Sequence, residues 1–590
     1  MTQQEILSIL SQTGSVDLSV PESKRLSIPQ NRLIQPYLRE IEAFADACRG
    51  TMIPSLPYSF FKLYMQTGDR LHYEDSDRGY FPRRGRLGAF AVQAWLYGRE
   101  EDIHELEDII WAICDEYTWA VPAHVDPEAF TSRLENDAYM VDLFAAETAQ
   151  SLAEICFLMG DRLAPIVRMR AGRLIRERVL DRVLEQTFGW MGSTHNWAAV
   201  CAGSVGMAAI YTLEEPDRLA AVLEKLLPSI DSYLSGFAAD GSCLEGIGYW
   251  WYGFSYFVAF AELLERRTAG GINLFDDPRV PSIAAFQQKI CFPGGRTVCF
   301  SDGSSRGKWS PGLTSYLSRR FEGVTMLPAE TCQLQYGADH CHRWSVIFRN
   351  LIWSAEEAEK ECPFRTCCLP SAQWYLGHSP AGAGIAAKAG HNGEPHNHND
   401  TGSFQFYLNG EEMLSDLGSG EYTRQYFSDK RYDFFVCGSQ GHNVPMIDGF
   451  CQKAGRDAAA SQVELNDEGI RMELADVYGL ACLSSFRRSL RFAEDTGEVC
   501  LTDIFTLDHE KHDICERFVT FGQVTVEEGR ATVQLGSEKI HICYDEAVFT
   551  PIVTPVTYAA HSGETRHLFT LDFHAMAQDR LTACFTIVPA

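Results

Sequence analysis

The short segment His396-Asn397-His398-Asn399-Asp400 places two imidazoles and a carboxylate close together in the chain. In an extended segment side chains alternate between two faces, so His396 and His398 should point to the same side and can share a site. Imidazole transfers protons near neutral pH and is also a common metal ligand. A polar loop whose histidines only satisfy backbone groups is the alternative for so short a pattern. This segment is the strongest sequence signal for acid–base chemistry or metal binding.

Two further segments extend this pattern. Residues 403–408 alternate in polarity and lead into Asn409-Gly410, which predicts a β-hairpin. Asp416-Leu417-Gly418 follows the hairpin, and Gly441-His442-Asn443 lies further along. In this order the three segments resemble the signature of the heparinase II/III-like polysaccharide lyases. The resemblance implies an α+β multidomain fold, in which an N-terminal (α/α) helical toroid is followed by a C-terminal antiparallel β-sandwich.

The first half of the sequence has the apolar spacing of helices. Apolar residues recur three and four positions apart in the stretches 33–47, 87–96, 103–113, 140–158, 166–188, 197–211, 219–237 and 246–264. Many helices of similar length without a detectable sequence repeat favour helical hairpins that close into a toroid.

From about residue 371 the pattern changes to short alternating runs separated by turn residues, which predicts antiparallel strands. The runs are 403–408, 461–465, 470–474, 485–492, 499–507, 524–535 and 568–573. We therefore expect a toroid domain at 1–330, a connecting region at 331–370 and the β-sandwich at 371–590.

Length and charge limit the classes of protein and partner. A chain of 590 residues with 45% hydrophobic residues can bury more than one core. The net charge of −28 argues against nucleic acid or an anionic membrane as a partner. An acidic glycan substrate would then need a locally basic site, and we expect Arg84 and Arg86 to supply it.

The N-terminus and the cysteines predict a cytoplasmic protein. The first residues lack the basic and apolar regions of a signal peptide, and the 19 cysteines are an odd number without a C-x-x-C pair. Cys156, Cys201 and Cys543 lie in apolar patterns. We expect buried, reduced thiols.

The helical half contains another segment that resembles the family pattern, residues 192–197. The resemblance implies that Asn196 binds the carboxylate of the substrate. Helix N-capping is the alternative role for an asparagine at this point. Trp197 stands where several family members have a histidine, which removes one possible base, and His195 directly precedes Asn196. We assign His195 and Trp197 to substrate binding.

Residues 240–252 resemble a third family segment. Glu245, Tyr249, Tyr252 and Tyr256 are spaced so that one helix face would carry an acid and three phenols. A structural aromatic stripe is the alternative. The catalytic tyrosine should be Tyr249 or Tyr252, which the sequence does not separate, and Glu245 is assigned to substrate binding.

The remaining assignments rest on shorter segments. Residues 119–124, with Trp119 and His124, and residues 300–303, with Asp302, resemble cleft segments of the family, although turns and caps would explain both. Trp119, His124 and Tyr422 are taken as substrate-binding residues.

A uronic-acid glycan sets the chemistry that these residues would perform. β-Elimination removes the weakly acidic proton on C5 and breaks the bond from C4 to the glycosidic oxygen. Asn196 would stabilise the charge that develops on the carboxylate, by the logic of an oxyanion hole. His396 and a tyrosine phenol suit the tasks of base and acid. The product would carry a C4–C5 double bond.

A metal site is implied beside the catalytic residues. His398, Asp416 and His442 match the family positions that hold a divalent ion, and two imidazoles with one carboxylate suit zinc. Its role would be structural, with Asp400 as a hydrogen-bond partner of a ligating imidazole.

These expectations converge on a polysaccharide or oligosaccharide lyase that acts on uronic-acid glycans. Glycosaminoglycans such as hyaluronan, chondroitin or heparan sulfate are favoured over alginate and other polyuronates. A glycoside hydrolase on a similar toroid would need two cleft carboxylates, for which Glu245 and Asp302 are the available pair. A non-catalytic glycan-binding protein with the same fold is the third alternative.

Overall fold

A computed structural model describes residues 1–68, 70–74, 79–125, 139–307, 310–327, 334–356, 365–394 and 396–590. The chain divides into two compact units, each built from three stretches. The first, the helical unit, contains Met1–Gly236, Trp250–Val280 and Lys308–Glu359. The second, the sandwich unit, contains Phe237–Tyr249, Pro281–Gly307 and Lys360–Ala590.

This division corrects the expected domain limits. The helix Trp344–Trp353 falls within the supposed connecting region 331–370, yet it belongs to the helical unit. Two stretches of the first half, 237–249 and 281–307, belong instead to the sandwich unit. Part of the expected boundary lies outside the described residues.

The helices coincide with all eight stretches that the apolar spacing predicted. They are Gln3–Thr13, Glu22–Ser27, Gln35–Cys48, Tyr58–Thr67, Leu71–Glu74, Tyr80–Tyr97, Glu100–Cys114, Leu143–Met159, Pro165–Ile175, Asp181–Glu185, Asn196–Thr212, Pro216–Ser235, Ile247–Arg267, Val280–Ala284, Phe286–Lys289, Pro311–Arg320, Trp344–Trp353 and Ala475–Tyr478. The stretch expected at 166–188 is divided, because a π-helical turn, Arg176–Leu180, separates two α-helical segments.

Two neighbouring helices form the interior of the helical unit. Leu143–Met159 packs against Asn196–Thr212, and both are buried over most of their length. The small side chains of Asn196–Thr212 allow helices to approach on all its faces, which explains why it lacks a polar side. Asp142 caps the N-terminus of its partner by accepting a hydrogen bond from the Ala145 N–H at 2.7 Å.

The described residues contain twenty-one strands, which, apart from two short strands within 291–297, follow the antiparallel pattern expected for the second half. They are β1 Cys291–Phe292, β2 Arg296–Thr297, β3 Cys367–Leu369, β4 Trp374–His378, β5 Ala383–Lys388, β6 His391–Asn392, β7 Phe404–Leu408, β8 Glu411–Leu414, β9 Met446–Ile447, β10 Gly455–Ala459, β11 Ser461–Asn466, β12 Gly469–Glu473, β13 Leu483–Ala493, β14 Glu498–Leu507, β15 His512–Thr520, β16 Gln523–Glu527, β17 Arg530–Leu535, β18 Glu538–Cys543, β19 Thr550–Ala559, β20 Thr565–Ala577 and β21 Arg580–Pro589. The run expected at 524–535 is a hairpin of two strands, β16 and β17, because Glu528-Gly529 forms a turn within it.

Three sheets carry most of these strands. The largest has the order β11-β12-β13-β14-β21-β18-β17-β16, the second β19-β20-β15-β9 and the third β3-β4-β5-β7-β8. One hydrophobic core joins them. Phe518 of β15 lies at its centre, since its ring contacts Phe404, Phe573 and Phe585 at centroid distances of 6.1, 5.8 and 5.3 Å. These aromatic contacts fix the sheets to one another.

The cysteines of the described part are free thiols. Cys201 is buried and Cys156 is partly buried, but Cys543 is exposed, which corrects the expectation that all three are buried. Among the described helices, none has the length and apolar character needed to cross a bilayer.

A buried ion cluster in the sandwich core holds two loops. Arg488 of β13 is 1% exposed, and its guanidinium forms hydrogen bonds with Asp503 of β14 and Glu516 of β15. Its Nη1 also donates to the carbonyl oxygens of Gly402 and Asn443, both at 2.9 Å. Those two residues lie in the loops that follow His398 and His442, so the cluster connects the core to the histidine-bearing loops.

Replacing Arg488 tests how much this cluster contributes to the stability of the sandwich unit. Arg488→Met should destabilise the sandwich unit by about 3–5 kcal/mol, because it leaves two buried carboxylates without their counter-charge. Arg487→Met is the matched control, since the neighbouring side chain is 66% exposed and pairs with Glu473 at 3.6 Å. It should cost about 1 kcal/mol or less. Calorimetric unfolding of the two variants measures the difference, and equal shifts would refute the assignment.

Candidate functional site

The site forms around the carboxylate of Asp302, whose side chain is fully buried. Asp302 lies in a turn after β2, where Ser301 adopts a positive φ of 60°. Its Oδ2 accepts hydrogen bonds from His396 Nδ1 at 2.9 Å and from the Tyr422 hydroxyl at 3.0 Å. This oxygen therefore joins the turn to the first histidine of the sequence motif.

The other oxygen of Asp302 is equally engaged. Oδ1 accepts hydrogen bonds from His398 Nε2 at 3.0 Å, from the Tyr426 hydroxyl at 2.5 Å and from Arg431 Nη2 at 2.9 Å. Burial alone would raise the pKa of the Asp302 carboxyl, but the hydrogen bonds from His396 and His398 and the charge of Arg431 hold it well below its ordinary value. Asp302 is therefore an anion at neutral pH.

The motif histidines reach this carboxylate by a turn and not by a strand. His396 has a φ of 54°, in the left-handed region that non-glycine residues rarely adopt. The expected extended segment with alternating faces is therefore wrong. His396 and His398 nevertheless share a site, because each donates to a different oxygen of Asp302.

Tyr249 lies against the ring of His396. The two rings are stacked with centroids 4.6 Å apart and planes 26° apart, and the Tyr249 hydroxyl is 3.4 Å from His396 Nδ1 and 2.8 Å from the Tyr422 hydroxyl. Burial raises the pKa of the Tyr249 phenol, and the Asp302 charge raises it further. The phenol is therefore protonated at neutral pH and suited to donate a proton.

Glu245 stands on the other side of the imidazole. Its Oε1 lies 3.9 Å from His396 Nε2. Burial raises the pKa of the Glu245 carboxyl, while the nearby His396 lowers it. Because Nδ1 donates to Asp302, Nε2 is the nitrogen of His396 that is left to accept a proton.

Tyr252 has a different environment, in the helical unit. Its hydroxyl donates to the buried carboxylate of Glu147, and the guanidinium of Arg343 lies 3.9 Å from the centre of its ring. Burial raises the pKa of Glu147 to about 7, against the opposing effect of Arg343. Tyr256 is also fully buried. The expected polar face with an acid and three phenols is not formed, because Glu245 precedes the helix Ile247–Arg267 and both later tyrosines pack into the interior.

Asn196 is the first residue of its helix and not its cap. His195 occupies the N-cap position, and its side chain makes no capping hydrogen bond. The side chain of Asn196 is almost completely buried. The capping alternative therefore does not account for this asparagine. Trp197 is partly buried, with its ring 4.7 Å from that of His124, which in turn is hydrogen-bonded to Asp142 at 2.8 Å.

Arg84, Arg86 and Trp119 do not have the roles expected from the sequence. Arg84 is buried and forms a two-point ion pair with Glu116. Arg86 is 2% exposed and is bound by backbone carbonyl oxygens and by Glu105. Trp119 is 1% exposed and donates to the Ile113 carbonyl. All three are structural residues of the helical unit, so they do not supply a basic substrate-binding surface.

The three expected metal ligands do lie together. His398, Asp416 and His442 are buried, and each offers one ligand atom within 4.8 Å of the others. His442 Nδ1 lies 3.2 Å from Asp416 Oδ2, and His398 Nδ1 makes no hydrogen bond within the described residues. The second ring nitrogens are engaged, Nε2 of His398 with Asp302 and Nε2 of His442 with the Val436 carbonyl at 3.0 Å. A buried cluster of two oriented imidazoles and one carboxylate fits a divalent metal.

Asp400 is not the partner of these imidazoles. Its Oδ1 accepts a hydrogen bond from the buried ammonium of Lys388 at 2.8 Å, and its Oδ2 makes none within the described residues. The expected role of Asp400 is performed for His398 by Asp302.

Two glycines explain the spacing of the motif segments. A side chain at Gly441 would place its Cβ 2.2 Å from the Phe435 carbonyl oxygen, and one at Gly418 would meet the Gly303 carbonyl oxygen at 2.4 Å. Gly418 thus lets the segment after Asp416 approach the turn that carries Asp302. Asn443 completes the arrangement by donating to the carbonyl oxygens of Phe404 and Ser415.

Sequence reasoning missed Tyr426 and Arg431 and gave Asp302 a different role. The density of aromatic residues in 422–435, around a single buried arginine, is the signal that could have identified the first two. Nothing in the local sequence of Asp302 indicates that its partners lie about a hundred residues away.

Comparison with known proteins finds a family model that is similar to part of the sandwich unit. Residues 381–580 match the family model described as "Heparinase II/III-like, C-terminal". The matched residues include the three motif segments that resemble this family in the sequence. No curated protein matches the chain.

Solved structures match over nearly the whole chain. A heparinase III structure is 13% identical, with a TM-score of 0.63, and the match covers 98% of this chain and 93% of that one. A heparan sulfate lyase mutant from Pedobacter heparinus is 12% identical, with a TM-score of 0.60 and coverages of 100% and 93%. A chondroitin AC lyase from Streptomyces coelicolor A3, in complex with chondroitin sulphate, is 12% identical, with a TM-score of 0.57 and coverages of 96% and 82%. These likenesses confirm the predicted fold class, a helical toroid followed by an antiparallel β-sandwich.

Proposed function

We propose that this chain is a polysaccharide lyase that cleaves uronic-acid glycans by β-elimination, with glycosaminoglycans as the preferred class. The observation that carries the proposal is the stack of Tyr249 on His396, with His396 Nδ1 bonded to the anionic Asp302. The names of the similar structures, a heparan sulfate lyase and a chondroitin AC lyase, support the substrate class.

His396 and Tyr249 each carry out one of the two proton transfers. His396 Nε2 takes the proton from C5 of the uronate, because its other nitrogen is committed to Asp302. Tyr249, which its raised pKa keeps protonated at neutral pH, donates its phenolic proton to the departing O4. Asn196 binds the uronate carboxylate and stabilises the negative charge that grows there as C5 loses its proton. The product is an unsaturated uronate.

A hydrolase is a weaker alternative. It would use Glu245 and Asp302 as acid and base. Asp302 is fully buried, carries five hydrogen bonds and has a lowered pKa, so it is neither accessible to a water molecule nor able to hold a proton to donate. The carboxylate pair is therefore not available for that chemistry.

We also propose that His398, Asp416 and His442 bind one divalent ion, with zinc favoured by the ligand types. When bound, the ion would supply a positive charge that holds three separate segments together. Its role is structural, since the ligand atoms are buried and His396 is not among them.

The proposed activity predicts a specific pattern among three variants. The protein should release an ultraviolet-absorbing unsaturated product from at least one of hyaluronan, chondroitin, dermatan, heparan or alginate. His396→Ala and Tyr249→Phe should lower kcat by about 10²- to 10⁴-fold, because each removes a proton-transfer group.

Tyr252→Phe provides the comparison. It removes a phenolic hydroxyl one helical turn further on, which is bonded to Glu147, and should retain most of the activity. Products without a double bond would favour a hydrolase. Binding of the glycan without any product would favour the non-catalytic alternative. Loss of activity in Tyr252→Phe but not in Tyr249→Phe would reverse the assignment of the tyrosines.

Asn196→Ala should lower kcat more than it weakens substrate binding, because the charge that this amide meets is greatest in the transition state. Steady-state kinetics and equilibrium binding of the glycan to an inactive His396→Ala background measure the two effects. If kcat at low temperature is normal and only the melting temperature falls, Asn196 is structural.

The metal proposal predicts a stability effect before a rate effect. Elemental analysis of protein purified without added metal should find about one divalent ion per chain, and His442→Ala should lose it. The control His541→Ala, a partly buried histidine that is hydrogen-bonded to the Thr532 hydroxyl, should retain it. Chelation should lower the melting temperature, because an ion that binds only the folded state stabilises it. A protein without metal, or a metal-dependent rate with unchanged stability, would contradict this role.

A further inference from the structure

We infer that Asp302 is the positioning residue for the proton-transfer reaction: it fixes the tautomer and the orientation of His396. This inference rests on the proposed function for its effect on rate, but its structural content concerns only the imidazole and the carboxylate. The sequence pattern does not assign this role to Asp302.

The first argument is the exposure and strain of His396. Its side chain is 26% exposed, and its backbone holds a positive φ of 54°. Such a conformation persists only where surrounding contacts determine it. Tyr249 stacks on one face of the ring, but stacking alone does not distinguish the two nitrogens. The hydrogen bond to Asp302 Oδ2 does, because an anionic carboxylate can only accept.

The second argument is the consequence for the reactive nitrogen. With the proton on Nδ1, Nε2 carries the lone pair and faces away from Asp302. Once Nε2 has taken a proton, the ring is a cation whose Nδ1–H lies 2.9 Å from a buried anion. Asp302 therefore selects the basic tautomer before the reaction and stabilises the imidazolium during it.

The third argument is that Arg431 binds both the Asp302 carboxylate and the backbone next to it in the site. Its Nη2 donates to Asp302 Oδ1 and to the His396 carbonyl oxygen, at 2.9 and 3.0 Å, and its Nε donates to the Asn397 carbonyl oxygen at 3.0 Å. One cation thus holds both the carboxylate and the backbone of the turn. The ring and the main chain of His396 are fixed by the same ion pair, which is more than burial of an aspartate requires.

The competing explanation is that Asp302 only supports His398 and the metal site. It also accepts a hydrogen bond from His398 Nε2, so a change at Asp302 could act through the metal. The two explanations differ in two measurable properties. They are the tautomer of His396 when Asp302 is replaced, and the effect of that replacement on the rate when His396 is absent.

The test uses Asp302→Asn in the full-length protein, with metal content measured for each variant. Asparagine keeps the size of the side chain but offers only one acceptor oxygen. We expect kcat to fall by about 10²- to 10⁴-fold with little change in KM. In the His396→Ala background the same substitution should change the residual rate by no more than about twofold, because the two residues act as one unit. A fall of the same size in both backgrounds overturns the inference.

Asp572→Asn is the matched control. Asp572 is a buried carboxylate of the same unit, 5% exposed and paired with Arg517 through both oxygens. It shares the burial and the arginine partner of Asp302 but has no histidine bonded to it among the described residues. This variant should keep the wild-type kcat, even where its stability is lower. An equal loss of kcat in both aspartate variants would overturn the inference.

A second readout does not depend on activity. In ¹⁵N-histidine-labelled protein, the His396 signals, identified by their absence in His396→Ala, should show the Nδ1–H tautomer in the wild type and lose it in Asp302→Asn. An unchanged tautomer overturns the inference, even if the rate falls or metal is lost. If the wild-type protein yields no unsaturated product, the proposed function fails, while the tautomer still decides the role of Asp302.

Discussion

The structure of the site depends on keeping one charge, the carboxylate of Asp302, out of water. An isolated buried carboxylate is too costly to maintain, so the fold must supply donors for it. It supplies five, from two histidines, two tyrosines and an arginine. These donors come from 396–431, whereas Asp302 itself comes from a turn far earlier in the chain. Satisfying this one anion therefore requires the two segments to fold against each other, and the position of every donor is set as a result.

The same carboxylate separates two kinds of imidazole that are only two residues apart. His396 is partly exposed and has its Nε2 3.9 Å from Glu245 Oε1, while His398 is fully buried and is grouped with Asp416 and His442. The strained backbone of His396 makes this possible, since a regular strand would have pointed both rings the same way. Two histidines can thus donate to the same carboxylate while their rings lie in different environments.

Two tyrosines of the helix Ile247–Arg267 show that chemically similar residues can have different partners in different environments. Tyr249 and Tyr252 are three positions apart, and both are phenols with raised pKa values. Tyr249 is stacked on an imidazole and joined to Tyr422, while Tyr252 donates to Glu147 beneath the guanidinium of Arg343. The first is placed to transfer a proton and the second to satisfy a buried acid. Arg84 and Arg86 show the same effect. Their guanidinium groups are bound by carboxylates and backbone carbonyl oxygens within the helical unit, so their charges are not available to a substrate.

The sequence alone determined the class of the fold, since apolar spacing of three and four gives helices and alternation gives strands wherever one face is buried. It also singled out His396, the group His398, Asp416 and His442, and the resemblance to a known family, because those residues stand in short motifs whose order along the chain is itself informative. Only the tertiary structure placed Tyr249 and not Tyr252 against His396, buried Arg84, Arg86 and Trp119 within the helical unit, and brought both motif histidines to Asp302. The physical reason is that hydrogen bonds and burial act through space. Local sequence carries the periodicity of an element, but the partner of a buried charge about a hundred residues away is fixed only when the chain has folded.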